Sequence, residues 1–403
     1  MRNLLLCAFC LLLAACDATT DSAETHTTPQ AQRATGLLGG VTVEPAPAWT
    51  DLFDTTSGWT GADGIYSIPV NGVEVPGTAS ATQTIFLFND TAIGDVLPDG
   101  RRAPGSTLVN NTVALLGGGA PDPSDIEFFW PGGRDTPRAA VVPDTPDAEP
   151  GDWYWNADGI VIGNTLWAYY LRVARAEDIL FPFELVGANL ARTSLAGGMP
   201  GPVEQFDTPL FRPAEGNRGN LAFGGAILPN LAEAGVPNPD GFLYVYGVRN
   251  DSLVKKLLVA RVRPQHIADF ERYRYWDGAA WVADLDAAVP VTNRVSNELS
   301  VTPLANGKYL LVFQRDAISS VTAARVGDSP VGPWGPIRDI YSCPEVNQDS
   351  DYYCYNAKAH PHLSEPGTLL ISYNVNTFDF FGDFFSDADL YRPRFIRLRG
   401  LPQ

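Results

Sequence analysis

Acidic residues recur at one point of a repeated sequence pattern, and they are the residues in this chain best suited to chemistry. Asp63, Asp158 and Glu298 each open a strand-forming run, and Asp90 closes another. Carboxyl groups gathered in one place are partly desolvated among like charges, so one can hold a proton while another stays ionised. Such a pair is what glycoside hydrolysis requires. We therefore predict that these four acids form a catalytic set.

The same acids also have a structural interpretation. An Asp before Gly is common at turns, and an Asp or Asn that closes a strand often hydrogen-bonds its own backbone. Asp90, in the turn Asn89-Asp90-Thr91, suits that role as well as catalysis. Three acids at one repeated offset favour a shared site, because isolated turn residues need not coincide in this way.

Other residues near the same strand ends are candidates for substrate binding. Aromatic rings offer faces on which a sugar can stack, although packing between strands would use them equally well. An Arg there either binds a ligand or serves as a counter-ion, and a His either faces the ligand or is a satisfied core group. The candidates are Trp59, Tyr66, Trp155, Arg249, Arg315 and His360.

A repeated two-strand unit must position these residues. Each unit has a strand, a turn rich in Gly, Asn or Pro, and a more aromatic second strand; a third and sometimes a fourth strand follow. Four antiparallel strands repeated radially form a β-propeller blade. We predict an all-β, five-bladed β-propeller with four-stranded antiparallel blades, and a two-sheet sandwich is the main alternative. The units start at Asp63, Asp158, Gly225, Glu298 and His360.

The propeller prediction brings the candidate residues together. The first strand of every blade lines the central channel, so the starts of the first strands converge on one mouth of that channel. The second strands return to the same mouth because they are antiparallel to the first. We expect the segment Gly40–Phe53 to supply the outer strand of the last blade and to close the ring.

The N-terminus is predicted to be an export signal. Met1-Arg2-Asn3 precedes the apolar run Leu4–Ala15, which is too short to span a bilayer of about 30 Å. The run ends in Leu13-Ala14-Ala15-Cys16, which resembles a bacterial lipobox; an ordinary signal peptide with a chance Cys is the alternative. We predict a signal peptide at 1–15, lipidated Cys16 and a flexible tether at 16–37, and one propeller domain at 38–403 on the bacterial cell envelope.

The charge of the chain argues against one class of binding partner, and its cysteines predict a covalent cross-link. The chain has 28 Lys and Arg against 46 Asp and Glu, which disfavours nucleic acid. Processing would leave Cys343 and Cys354, which we expect to form a disulfide in an oxidising compartment. We expect a monomer that contacts the membrane only through its lipid and requires no cofactor. Ca²⁺ held by the acidic rim is a further hypothesis, since Ca²⁺ prefers oxygen ligands.

Two blocks near the start carry a family resemblance. Gly58–Pro69 and Phe86–Gly94 resemble the opening of a bacterial family of five-bladed propellers of unknown function, whose members include endo-D-arabinanases of mycobacterial arabinan. Where that family reads Gly-Gly-Asp and Gly-Asp-Thr, this chain has Gly61-Ala62-Asp63 and Asn89-Asp90-Thr91, and both acids are kept. The similarity continues in Asn110–Thr112, Trp155–Gly159, Phe242–Gly247, Tyr275–Gly278, Ala324–Arg325 and Gly332–Gly335.

The resemblance implies a function as well as a fold. In such enzymes the acids of the first blade are the expected catalytic pair, which here would be Asp63 and Asp90. Asp158 and Glu298 would then tune charge or orient the substrate, and Asn111 joins the substrate-binding candidates. The implied activity is hydrolysis of an extracellular glycan containing arabinofuranose. A non-catalytic propeller that binds carbohydrate or protein is the alternative.

Overall fold

The fold is taken from a computed structural model that describes residues 32–33, 40–177, 182–196, 201–251 and 254–402. The predicted signal peptide and Cys16 lie outside these residues, as does nearly all of the predicted tether. Within the described part of the chain, no helix has the length and apolar character needed to cross a membrane.

Five four-stranded antiparallel sheets form the blades of the propeller, numbered here along the chain. The first strand of each blade is called its inner strand. Blade 1 contains Tyr66–Pro69, Gln83–Phe88, Thr112–Gly117 and Ile126–Phe129, and blade 2 contains Trp153–Ile162, Thr165–Arg175, Phe183–Ser194 and Val203–Asp207. Blade 3 contains Leu221–Asn230, Phe242–Asp251, Val254–Val262 and Arg274–Trp276, and blade 4 contains Leu299–Pro303, Tyr309–Gln314, Val321–Gly327 and Arg338–Ser342. Blade 5 contains Tyr352–His360, Thr368–Thr377, Pro393–Arg399 and Thr42–Pro45.

Shorter elements decorate the blades. A separate three-stranded sheet precedes and interrupts blade 1, and short strands extend blades 3 and 5. The three-stranded sheet contains Ser57–Ala62, Thr91–Asp95 and Thr107–Val109. The extending strands are Gln32–Arg33, Phe211–Arg212, Trp281–Val282 and Thr292–Asn293. The helices are Pro47–Asp51 and Phe380–Ser386, with 3-10 turns at Ala79–Ala81, Pro264–His266, Phe270–Arg272, Leu285–Ala287 and Pro344–Asn347.

The ring closes as the sequence predicts. Thr42–Pro45 pairs antiparallel with Pro393–Arg399, so the N-terminal strand completes the blade formed by the C-terminal strands. At the inner end of the same junction, Ser67 of blade 1 hydrogen-bonds the His360 ring of blade 5, with 2.7 Å between Oγ and Nδ1. The five-bladed propeller and its N-terminal closing strand are therefore confirmed.

Packing between neighbouring blades holds the ring together. Each blade interface has its own buried apolar cluster, such as Tyr66 and Ile68 of blade 1 against Tyr154 of blade 2. The clusters of the other four interfaces are built in the same way. This follows from the alternation of side chains along a strand, which sends successive residues to opposite neighbours. Each fully buried large side chain contributes about 1.5–3 kcal/mol relative to exposure.

The predicted disulfide is present between Cys343 and Cys354, whose Cα atoms are 6.7 Å apart. Cys343 directly follows the outer strand of blade 4, and Cys354 lies in the inner strand of blade 5. The bond therefore ties two neighbouring blades together.

Three repeat boundaries are corrected by the structure. Asp158 and Gly225 do not open their inner strands but lie within them, because residues 153–156 and 221–223 already pair with the second strands of blades 2 and 3.

The boundary of blade 5 is displaced further along the chain. The fifth inner strand does not start at His360 but ends there, because Pro361 has no N–H to continue the ladder. Inner strands of blades 2, 3 and 5 share a bulge, between Phe223 and Ala226 in blade 3 and between Tyr355 and Lys358 in blade 5. By this register Ala357, not His360, is the blade 5 equivalent of Asp158.

Candidate active site

The turn that enters blade 1 holds Asp63 and Asp90 side by side. The Asp63 N–H donates to the Asp90 carbonyl at 3.4 Å, and the Asn89 N–H donates to the Asp63 carbonyl at 2.9 Å. Gly64 has φ +62°, and a Cβ there would lie 2.2 Å from Nδ2 of Asn89. Only glycine fits this turn, so the Asp63-Gly64 pair places Asp63 and Asn89 at the same mouth of the channel.

The surroundings of Asp63 favour the protonated form of its carboxyl. Burial, the neighbouring Asp90 and the more distant Glu298 raise the pKa of its carboxyl well above the usual range, although hydrogen bonds from Tyr355 and Tyr391 oppose the shift. The Tyr355 hydroxyl donates to Oδ2 at 2.7 Å. Oδ1 is buried and has no hydrogen-bond partner among the described residues. Asp63 therefore holds a proton more strongly than an ordinary carboxyl does.

Asp90 keeps its negative charge more readily than Asp63 does. Burial raises its pKa to about 6, against hydrogen bonds from Trp155 and Asn110 that favour the carboxylate. Trp155 Nε1 donates to Oδ1 at 3.1 Å, and Asn110 Nδ2 donates to the same oxygen at 3.2 Å. Since both donors bind Oδ1, Oδ2 is the atom left for a ligand. Asp90 is predominantly ionised at pH 7.

Glu298 reaches the same region from blade 4. It forms a buried ion pair with Lys358 of blade 5 and accepts a hydrogen bond from Asn89 Nδ2 at 3.3 Å. Burial raises the pKa of Glu298, while Lys358 opposes that shift. The Lys358 ammonium also lies 4.4 Å from the centre of the Tyr66 ring. Blades 1, 4 and 5 are thus joined by one polar network.

Asp158 lies deeper in the channel and is fixed by backbone donors. The N–H groups of Ile227 and Gly159 donate to its two oxygens at 2.7 and 2.8 Å. Burial nevertheless raises its pKa to about 7. It lines a cavity together with Tyr66, Glu74 and Lys358. The cavity has a volume of about 40 Å³, which is enough for a few water molecules.

The site as a whole offers two neighbouring acids of different proton affinity. Asp63 can donate a proton, and Asp90 can accept one or attack, because their surroundings push the two pKa values apart. We call Asp63, Asp90 and Glu298 the carboxyl mouth.

Three sequence candidates are built into the scaffold rather than the site. Trp59 is 1% exposed and stacks on Phe128 at 4.7 Å, so it has no free face for a sugar. Asn111 is buried and uses its amide on the Val141 backbone. His360 is fully buried with both ring nitrogens bonded to serine hydroxyls. The structure does not bring these three to the carboxyl mouth.

The two arginine candidates are engaged as counter-ions. Arg249 pairs with Asp251 at 2.9 Å, and Arg315 pairs with Asp339. Their charges are used within their own blades, as the counter-ion interpretation expects. Of the substrate-binding candidates, only Tyr66 and Trp155 contact the polar network around the carboxyl mouth.

Several residues at the site were missed by sequence reasoning. Tyr355 and Lys358 belong to the blade 5 inner strand. The predicted repeat started at His360, so it left both residues outside the blade. The motif Tyr352-Tyr353-Cys354-Tyr355 ahead of a Lys could have revealed that strand. Tyr391 comes from the connection before the last strand and carries no repeat signal.

The metal hypothesis requires a group of ligand atoms that lie close together. Within the described ranges, the one set of three potential ligand atoms lying within 4.8 Å of one another is Cys343, Glu345 and Cys354. Both thiols of that set are used in the disulfide. Ca²⁺ at the acidic rim stays a prediction.

Comparison with known proteins gives a family and a fold. A family model described as a domain of unknown function, DUF5005, matches residues 47–401. No curated protein sequence matches. A solved structure from Bacteroides ovatus, of a protein to which hydrolase activity has been attributed, has a TM-score of 0.68 at 18% identity and covers 91% of this chain and 93% of that one. The two chains share a fold.

Two glycoside hydrolases are more distant. A family-43 enzyme of Xanthomonas citri solved with xylose has 14% identity and a TM-score of 0.40, covering 87% of this chain and 92% of that one. An α-L-arabinofuranosidase of Podospora anserina solved with cellotriose has 11% identity and a TM-score of 0.41, covering 86% and 98%. Similarity at this level carries no conclusion about activity.

Proposed function

We propose that this chain, which belongs to the DUF5005 family, is an exported glycoside hydrolase that acts on a neutral extracellular glycan. The observation that carries the proposal is the pair of adjacent carboxyls in blade 1. The pKa of Asp63 is raised well above the usual range, which favours its protonated form, and the pKa of Asp90 is raised only to about 6, which leaves it mostly ionised at pH 7. Two carboxyl groups in these states are the minimum that glycosidic bond hydrolysis needs.

In the proposed reaction, Asp63 is the general acid. It transfers its proton to the glycosidic oxygen as the bond from that oxygen to the anomeric carbon breaks. Asp90 either takes a proton from the attacking water or bonds to the anomeric carbon and is later released by water. In both cases one water is consumed and Asp63 ends the cycle reprotonated.

The other polar groups would set the charge around this pair. Glu298 adds negative charge near Asp63 and so helps to keep its proton in place. Lys358 neutralises Glu298 and ties it to blade 5. Asp158 is bound by backbone N–H groups and would act on the site only through its charge.

The charge of the mouth supports a neutral substrate. The cation of its polar network, Lys358, is already paired with Glu298, so an anionic sugar would meet the uncompensated carboxylate of Asp90. Arabinofuranose-containing glycans are the class proposed from the sequence resemblance, and anchoring through Cys16 would keep the enzyme at the envelope. Palmitate labelling of the full chain that is lost in Cys16→Ala tests the anchor.

The test of function is product release from arabinan, arabinogalactan and a panel of neutral glycans by the purified chain. We expect release by the wild type and a loss of about 10²- to 10⁴-fold in kcat for Asp63→Asn, the usual contribution of an acid–base group. Asp125→Asn, at an exposed residue of blade 1, is the matched control and should keep full activity.

Two outcomes would contradict the proposal. Failure to release product from every glycan, together with glycan binding that survives Asp63→Asn, would favour a non-catalytic binding protein. Full activity in Asp63→Asn would show that the acid assignment is wrong. Addition of EDTA tests the Ca²⁺ hypothesis separately, because removal of a bound structural ion would lower Tm.

A further inference from the structure

An exposed phenylalanine lies at the end of a run of aromatic rings that leads to the carboxyl mouth. Phe378 is 54% exposed, yet its ring centre is 4.7 Å from that of Tyr353. Tyr353 in turn lies 5.5 Å from Tyr355, whose hydroxyl donates to Asp63. The exposed ring is therefore two ring-to-ring steps from the residue that holds the acid.

The position of Phe378 is fixed by its backbone. Its N–H donates to the Asp351 carbonyl at 3.1 Å, at the point where the strand Thr368–Thr377 ends. The next residue, Asp379, caps the helix Phe380–Ser386 through the Gly382 N–H. The backbone that carries the ring is held on both sides, so a ligand that stacks on the ring does not have to order the backbone.

A second aromatic run lies on the other side of the acids. Trp155 donates to Asp90, packs edge-on against Phe183 at 4.7 Å, and has Trp153 6.3 Å away. Asp63 and Asp90 belong to blade 1, which lies between blade 5 and blade 2 in the ring. Rings therefore flank the acid pair on both sides of blade 1.

We infer that Phe378 and Tyr353 form a sugar-stacking subsite for one residue of a neutral glycan chain, beyond the sugars at the carboxyl mouth. The inference rests on the proposed function, since it takes the same glycan as ligand. An aromatic face is the surface that a sugar ring covers, and neutral sugars are the ligands that the acids nearby do not repel. The subsite predicts that longer chains bind more tightly than short ones.

The test compares chain lengths. Binding of linear arabino-oligosaccharides of two to six residues is measured by calorimetry for the wild type, Phe378→Ala and Phe378→Trp. We expect Phe378→Ala to weaken binding of the hexasaccharide about 3- to 10-fold, to leave the disaccharide unchanged, and to be reversed by Phe378→Trp. Equal binding of the hexasaccharide by wild type and Phe378→Ala would overturn the subsite, as would no binding of any chain.

A control separates this subsite from general surface effects. Phe385 is 43% exposed in the adjoining helix, but packs on the buried Phe384 and not on Tyr353. Phe385→Ala should bind all chain lengths like the wild type; a loss equal to that of Phe378→Ala would overturn the inference. If hydrolysis is absent while the length-dependent loss remains, the proposed enzyme is wrong and the subsite stands. If hydrolysis is normal and Phe378→Ala has no effect on binding or KM, only the subsite is wrong.

Discussion

The two ends of the central channel both contain half-buried acids, yet they differ in what surrounds them. At the carboxyl mouth, the half-buried Asp63 and Asp90 receive hydrogen bonds from Tyr355, Trp155 and Asn110. At the other end, Glu74 lies in the loop that follows the blade 1 inner strand. Burial raises the pKa of Glu74 to about 8, so it is held in its neutral form.

The loop carrying Glu74 covers its end of the channel. The Glu74 N–H donates to the Ala234 carbonyl beyond the blade 3 inner strand at 3.3 Å, and the Gly77 N–H donates to Ser364 of blade 5 at 2.7 Å. Nδ1 of the fully buried His362 ring lies 3.9 Å from Oε2 of Glu74, and burial lowers the pKa of that ring to about 3. We call this region the plugged end.

A raised pKa does not by itself identify a functional site. Both ends contain such carboxyls because both are buried. What distinguishes the carboxyl mouth is a pair of acids with unequal proton affinity, donors directed at specific oxygens, and exposed aromatic rings alongside. At the plugged end, burial and the charge of Asp158 in the same cavity keep Glu74 neutral, and the backbone of its loop is bonded to neighbouring blades.

The largest expected difference between the ends is in activity. Asp90→Asn should lower kcat by about 10²- to 10⁴-fold, because it removes the base or nucleophile. Glu74→Gln makes the same acid-to-amide change at the plugged end and should leave kcat within about twofold of the wild type. Steady-state rates on the best substrate of the glycan panel measure both, and comparable losses would break the distinction between the ends.

The next effect is on stability at the carboxyl mouth. Lys358→Met leaves Glu298 buried without its cation, which should lower the free energy of unfolding by about 3 kcal/mol. The double variant Lys358→Met with Glu298→Gln removes both charges and should recover part of the loss. Lys308→Met breaks an exposed pair with Asp328 and serves as the control, with an expected change under about 1 kcal/mol. Denaturant unfolding gives all three values, and equal effects of the two Lys variants would contradict the account.

A smaller difference between the two ends lies in how the free energy of unfolding depends on pH. Glu74 has a pKa of about 8 in the fold against 4.5 for a free carboxyl, so between these values the folded state binds a proton that the unfolded state lacks. Its stabilising contribution is complete below pH 4.5 and is lost as pH rises through 8, with a slope of about 1.4 kcal/mol per pH unit.

Glu74→Gln should flatten this part of the stability curve, measured as the free energy of unfolding from pH 5 to 9. Exposed Glu127→Gln is the matched control and should keep the wild-type slope, because water already solvates that side chain. A wild-type slope in Glu74→Gln would mean that Glu74 is not the neutral acid of the plugged end.

The smallest effect concerns the donor to Asp63. Tyr355→Phe removes a hydrogen bond that lowers the pKa of Asp63, so that pKa should rise further. Activity should then fall by less than about tenfold, the size of one hydrogen bond, and its alkaline limit should move to higher pH. The acidic limit, set by Asp90 near pH 6, should stay in place. A shift of the acidic limit alone would assign the hydrogen bond to the wrong acid.

Sequence reasoning reached the fold and part of the carboxyl mouth for a physical reason. Strand periodicity and turn residues are local, and radial repetition then places Asp63, Asp90 and Glu298 at one end of the channel without further information. Trp59 could not be assigned correctly because its burial depends on a small additional sheet outside the repeat.

The missed residues depend on register and on long-range contacts. A bulge moves Lys358 to the channel in blade 5, and a single residue of slip changes which side chain faces inward. Tyr391 and Glu74 lie in connections, whose path is set by the blades that they cross. No local pattern reports that path.

We expect Asp63 and Asp90 to share one proton at neutral pH, and that proton to reside on Asp63. Infrared spectra of the wild type and Asp63→Asn at pH 7 test this without any substrate, through the stretching band of a protonated carboxyl. The account predicts that the wild type shows one protonated carboxyl more than Asp63→Asn, whereas Asp125→Asn matches the wild type. Identical protonated-carboxyl bands in the wild type and Asp63→Asn would contradict it.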